Sequence, residues 1–70
     1  MKLEDVNKAM VENKTVIHEH NGYSSTYKIS GVITRYDNKK GWWYALELRD
    51  LKADSITVAD IGKVRVADNG

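Results

Sequence analysis

Seventy residues, 41% of them hydrophobic, with eleven basic and ten acidic side chains and a net charge of +1, describe one small domain. The chain has no cysteine, which excludes disulfides and thiolate metal sites, and its near-neutral balance argues against a dedicated nonspecific nucleic-acid binder. No apolar run approaches the roughly 20 residues that span a bilayer, and residues 1–5 lack the apolar region of a secretory signal, so a cytoplasmic setting without a membrane partner is expected.

The first segment reads as a helix over about residues 2–12. Leu3, Val6 and Met10 fall at spacings of three and four with Ala9 beside them, and Glu4 and Asp5 sit where the helix dipole favours acids. Asn13 is the expected stop. So short a helix does not survive alone in water, so its Leu3/Val6/Met10 stripe must dock on something.

From Thr15 the pattern becomes β-branched and alternating, then breaks at Asn21-Gly22, a strong hairpin signal. Residues 23–36 form the next strand, with Tyr27, Ile29 and Ile33 on one face and Gly31 marking a bend or bulge. The polar turn at residues 37–41 leads into a strand over 42–51, with Tyr44, Leu46 and Leu48 on one face and Trp43, Ala45, Glu47 and Arg49 on the other. A turn at 52–54, a short strand at 55–58, a single tight turn at 59–62 and a last strand at 63–66 complete the chain, with residues 67–70 expected to fray. The expected core is Val16, Ile29, Ile33, Tyr44, Leu46, Leu48, Ile56, Val58, Ile61, Val64 and Val66, closed at one end by the helix.

Five short strands without a crossover helix predict an antiparallel, closed or half-closed barrel, a mainly β, small α+β fold. The order of a long bent hairpin, a short strand, a one-turn helix and a final strand resembles an SH3-like small barrel, and residues 55–66 are similar to its closing segment. The pattern GVITRY…GWWYALEL…DSITV also resembles short uncharacterised proteins of Gram-positive bacteria and their prophages. The resemblance covers residues 15–66 and implies a fold and a genomic setting, with no catalytic residues.

Enzyme motifs are missing: there is no Gly-rich phosphate loop, no cysteine nucleophile and no Gly-x-Ser-x-Gly. A barrel this small also has little room for a walled pocket, so no catalytic set, cofactor or small-molecule substrate is expected. His18 and His20 share one face of a strand, yet two ligands do not make a structural zinc site, so both are read as solvated and no metal is expected.

The aromatics are more informative. Two Trp and four Tyr without a Phe suit surfaces that bind. Pairing Ile33 with Leu46 and Arg35 with Tyr44 puts Tyr36 opposite Trp43 on the outer face. Such a pair serves either as sheet packing or as a binding platform. Lys28, Arg35, Lys39 and Lys40 against Glu19 and Asp37 give residues 19–40 a balance of +2, read either as solvated Lys at a turn or as a basic loop that holds phosphates.

Two functions follow as expectations. The first is a protein-interaction module, binding a partner protein or itself, with Tyr36, Trp43, Arg35, Lys39, Lys40 and Trp42 as its contact residues. The second is weak nucleic-acid binding through Lys28, Arg35, Lys39, Lys40, Tyr36 and Trp43.

Overall fold

The computed structural model describes residues 1–20, with the side chain of His20 excepted, and residues 22–67. A helix α1 (Leu3–Val11) precedes strands β1 (Val16–His20), β2 (Tyr23–Asp37), β3 (Gly41–Asp50) and β4 (Ile56–Asp60). A one-turn 3₁₀ helix (Ile61–Lys63) then leads into β5 (Val64–Val66). All strand pairs are antiparallel, and the sheet order is β4-β3-β2-β1-β5.

The mainly β, small α+β class and its element order are as expected, but the barrel is not closed. β4 and β5 are the two edges of one open sheet, and among the described residues no ladder joins them. β5 is only three residues long and is held entirely on β1, through Val16↔Val66, Ile17↔Arg65 and His18↔Val64.

Local chemistry fixes the ends of the elements. The Asp5 carboxylate accepts the Lys2 backbone N–H at 3.1 Å, a cap on the otherwise orphan donors of the first turn. Asn13 ends α1 in the left-handed region at φ 54°, which Asn tolerates better than most residues. At the first hairpin the strands pair up to His20↔Tyr23, and Gly22 has φ 82°; Asn21, the other half of the turn signal, lies outside the described residues, as do residues 68–70.

The helix lies on the core face of the sheet. Val6 and Ala9 from α1, Val16, Tyr27, Leu46, Leu48, Ala59 and Val64 form the buried cluster, with Met1, Ile29, Ile61 and Val66 packed against it. The expected helical stripe is corrected: Leu3 and Met10 are exposed, and the contact is Val6 with Ala9, whose short side chain lets the helix approach closely. The Met1 ammonium donates to the Ile61 carbonyl at 3.0 Å, which ties the first residue to the 3₁₀ turn.

Four further core expectations are corrected, three of them by register. On β4, Ala59 pairs with Leu46 and Thr57 with Leu48, so Ala59 faces the core while Ile56 and Val58 point outward and are exposed. On β2, Ile33 pairs with Ala45 rather than Leu46, which moves it to the outer face, where it is half-buried. Tyr44 is on the expected face but lies beyond the reach of the helix, and it is exposed.

The shift on β2 has one cause. Ile29 pairs with Leu48 and Gly31 with Glu47, so Ser30 is an extra residue in the ladder. The Ser30 hydroxyl donates to Glu47 Oε1 at 2.8 Å, which fastens the bulge to β3. Because of it, Ile29 and Val32, three residues apart, lie on the same face.

Candidate functional site

β2 and β3 extend further than their neighbours. β1 pairs only with residues 23–27 of β2, and β4 only with residues 45–49 of β3. From about Val32 to Tyr44 the hairpin is therefore a two-stranded ribbon that projects from the helix-covered part of the sheet, in a molecule of 37 × 27 × 20 Å.

The tip is built by its turn chemistry. Asp37 Oδ1 accepts the backbone N–H groups of Lys39 at 2.8 Å and Lys40 at 3.2 Å, closing residues 38–40 into a tight loop. Gly41 takes φ 78°, the left-handed residue that returns a three-residue hairpin loop to the ladder. The Asp37 carboxylate is occupied by these bonds, while the Lys39 and Lys40 side chains are exposed around the loop.

The ribbon carries a different set of groups on each face. The observed register pairs Tyr36 with Trp42 and Arg35 with Trp43, which corrects the expected Tyr36/Trp43 pair by one residue. The rings of Tyr36 and Trp42 lie 4.9 Å apart, tilted by 54°, an edge-to-face type of contact. They remain open to solvent, Tyr36 at 57% and Trp42 at 72% of full exposure. Thr34, Tyr44 and Val32 continue the same face toward Leu46. It is the core face of the sheet, carried out past the end of the core.

Trp43 stands on the other face beside Arg35. It is half-buried and lines a shallow cleft of about 290 Å³ with Lys40, Tyr44, Asp60 and Ile61. The Lys40 ammonium lies 5.4 Å from the centre of the Trp43 ring, a cation–π geometry. Lys28 does not join the tip; its ammonium donates to the Asn13 carbonyl near the end of α1. The six expected contact residues are thus brought to one hairpin but split between two surfaces, Tyr36 with Trp42 and Arg35 with Trp43 and Lys40, while Lys39 lies in the exposed turn.

Comparison with protein-family models, curated proteins and solved structures finds no significant match to this chain. The site therefore rests on its own chemistry.

Tyr44, expected in the core, instead joins Tyr36 and Trp42 on this exposed face. A parity count that ran through Ser30 as regular strand put Tyr36 on the outer face beside Trp43. Elsewhere, His18 lies near Tyr27, with ring centroids 6.3 Å apart. Among the described residues no group of three or more His, Asp or Glu comes together in a metal-holding arrangement, and no helix is long and apolar enough to cross a membrane.

Proposed function

We propose that this domain is a non-enzymatic protein-interaction module that engages its partner through the aromatic face of the β2–β3 ribbon. One observation carries the reading: Tyr36 and Trp42 stack in solvent on a ribbon that the core does not need, with Val32 and Tyr44 extending the apolar surface. A stacked pair lends the ribbon up to about 1 kcal/mol, and a single aromatic with a charged or polar partner would stabilise it as well. Two large exposed aromatics side by side are the composition of a contact surface, since Tyr and Trp offer large apolar area at low conformational-entropy cost. The polar turn with Lys39 and Lys40 forms a rim around them.

The test compares the wild type with Trp42→Ala in affinity capture from a cell lysate. A specific partner retained by the wild type and lost by Trp42→Ala, with thermal unfolding little changed, is the expected result. Equal capture by both proteins overturns the reading.

A second reading, nucleic-acid binding, draws on the opposite face, where Arg35 and Lys40 flank Trp43. It is the weaker of the two. The Lys40 ammonium already covers the Trp43 ring, and the Asp60 carboxylate lines the same cleft, where it opposes phosphate. Oligonucleotide titration at low salt separates the readings: quenching of tryptophan fluorescence with a steep salt dependence supports this second one.

A further inference from the structure

The ribbon has a second unpartnered feature besides its aromatic face. β2 keeps its ladder with β3 to Asp37, but its other edge loses β1 after Tyr27. Lys28 is then tied to Asn13, and Ser30 bulges out toward Glu47. Among the described residues, no strand pairs with the outer edge of residues 31–37. A strand edge presents a row of N–H and C=O groups at peptide spacing, and a second extended chain satisfies them by adding a strand.

Charge states what kind of chain fits. Residues 31–44 contain Arg35, Lys39 and Lys40 against Asp37, a balance of +2, while the whole protein carries +1. The ribbon therefore holds all of the net positive charge, and the rest of the chain is at −1. Oδ1 of its single acid accepts the Lys39 and Lys40 backbone N–H groups, and the three cations outnumber that acid, with Lys40 lying over Trp43.

We infer that residues 31–37 of β2 take up an acidic, extended polypeptide segment as an added strand. The inference rests on the interaction-module reading and names the partner class for that surface. In an added strand, alternate side chains fall on opposite faces. One set packs beside Val32, Thr34 and Tyr36 on the aromatic face, and is apolar. The other set lies on the Ile33/Arg35 face, where carboxylates meet Arg35 and, at the tip, Lys39 and Lys40. The segment is thus of alternating apolar and acidic character. A nucleic acid uses none of the main-chain edge, and the ring face on which a base would stack is covered at Trp43 by the Lys40 ammonium.

The experiment selects random dodecapeptides on the intact, immobilised protein. Enrichment of peptides that alternate Glu or Asp with apolar residues is expected. Synthetic versions of the best binder, N-methylated at alternate amides, then test the ladder: methylation in one register abolishes binding, whereas the other register is tolerated. Amide resonances of residues 31–37 shift on binding, and the double charge reversal Arg35→Glu/Lys40→Glu weakens it by about tenfold, the size expected for a few exposed ion pairs.

Enrichment of neutral or basic peptides, no enrichment at all, or indifference to N-methylation in both registers overturns the inference. So does tight, salt-sensitive binding of oligothymidylate that displaces the peptide. A reversible dimer that protects the amides of residues 31–37 overturns it too, because a second copy would then fill the edge. If strand addition fails while Trp42→Ala still abolishes capture of a partner, the interaction-module reading survives without it. If strand addition fails and Trp42→Ala also leaves capture unchanged, both fall.

Discussion

The helix-covered base and the projecting ribbon are built from the same two strands, yet they obey opposite rules. At the base, the core face of β2 and β3 presents Tyr27, Ile29, Leu46 and Leu48, and all of them are covered by α1, β1, β4 or β5. A few residues further along the same face, Tyr36 equals the largest of those core residues and Trp42 exceeds it, yet both are left in solvent. The difference teaches that side-chain apolarity does not decide burial in so small a domain. Position along the hairpin does, because there is only enough helix and neighbouring strand to cover one end.

The strongest way to break that comparison is to attack the base. Leu46→Ala removes a fully buried side chain of the core cluster, and such truncations cost about 2–5 kcal/mol. For a domain whose whole stability is on the order of 5 kcal/mol, the variant should be largely unfolded, as urea titration followed by circular dichroism will show. A cooperative, wild-type-like transition would mean that the core lies elsewhere.

Gly41→Ala acts on the ribbon instead. A Cβ at this position meets no atom within 4 Å, so its penalty comes from the φ of 78° alone and should be about 1 kcal/mol. The loss should appear as faster amide exchange at the hairpin tip while the base stays protected. Trp42→Ala comes next. It should cost less than about 1 kcal/mol, since its ring packs on Tyr36 only at the surface, yet it should have the largest effect of the three on binding. A stability loss as large as that of Leu46→Ala would turn the aromatic pair into core and remove the contrast.

The smallest effect lies in acid. The Asp50 carboxylate accepts backbone N–H bonds from Ala53 at 3.0 Å and Lys52 at 2.7 Å at the β3–β4 turn, and these hold its pKa below the ordinary 3.8. A depressed carboxylate stabilises the fold above the unfolded value and loses that contribution as pH falls from 3.8 through the lower folded value. Asp50→Ala should therefore lower stability at neutral pH slightly and leave a flatter decline in urea midpoints below pH 3.8 than the wild type shows.

Much of the base was legible in the sequence. The helix, the Asn13 stop, the two hairpins, Val16, Leu46, Leu48 and Val64 in the core, and the one-turn helix before β5 all follow from periodicity and turn residues. The phase of β4 did not, because Ser55 to Val58 alternates plausibly either way, and small Ala59 gives a weak signal for the buried position. The helix contact was misread for the same reason, with Ala9 overshadowed by Leu3 and Met10. At the ribbon the residues were found but their partners were not. Composition pointed to Tyr36, Trp42, Trp43 and the basic turn, whereas pairing depends on counting, and the extra residue beside Gly31, where a bend or bulge was expected, shifts every count beyond it.

That extra residue has an evolutionary corollary. Ser30 works as a phase shifter between two independently tunable halves of one strand. Deleting Ser30 would seat Gly31 directly after Ile29, still opposite Glu47, and would keep every distal pair, with Tyr36 on the near face and Arg35 on the far one. The bulge is therefore a place where β2 can lose a residue without exchanging its aromatic surface for the cationic one.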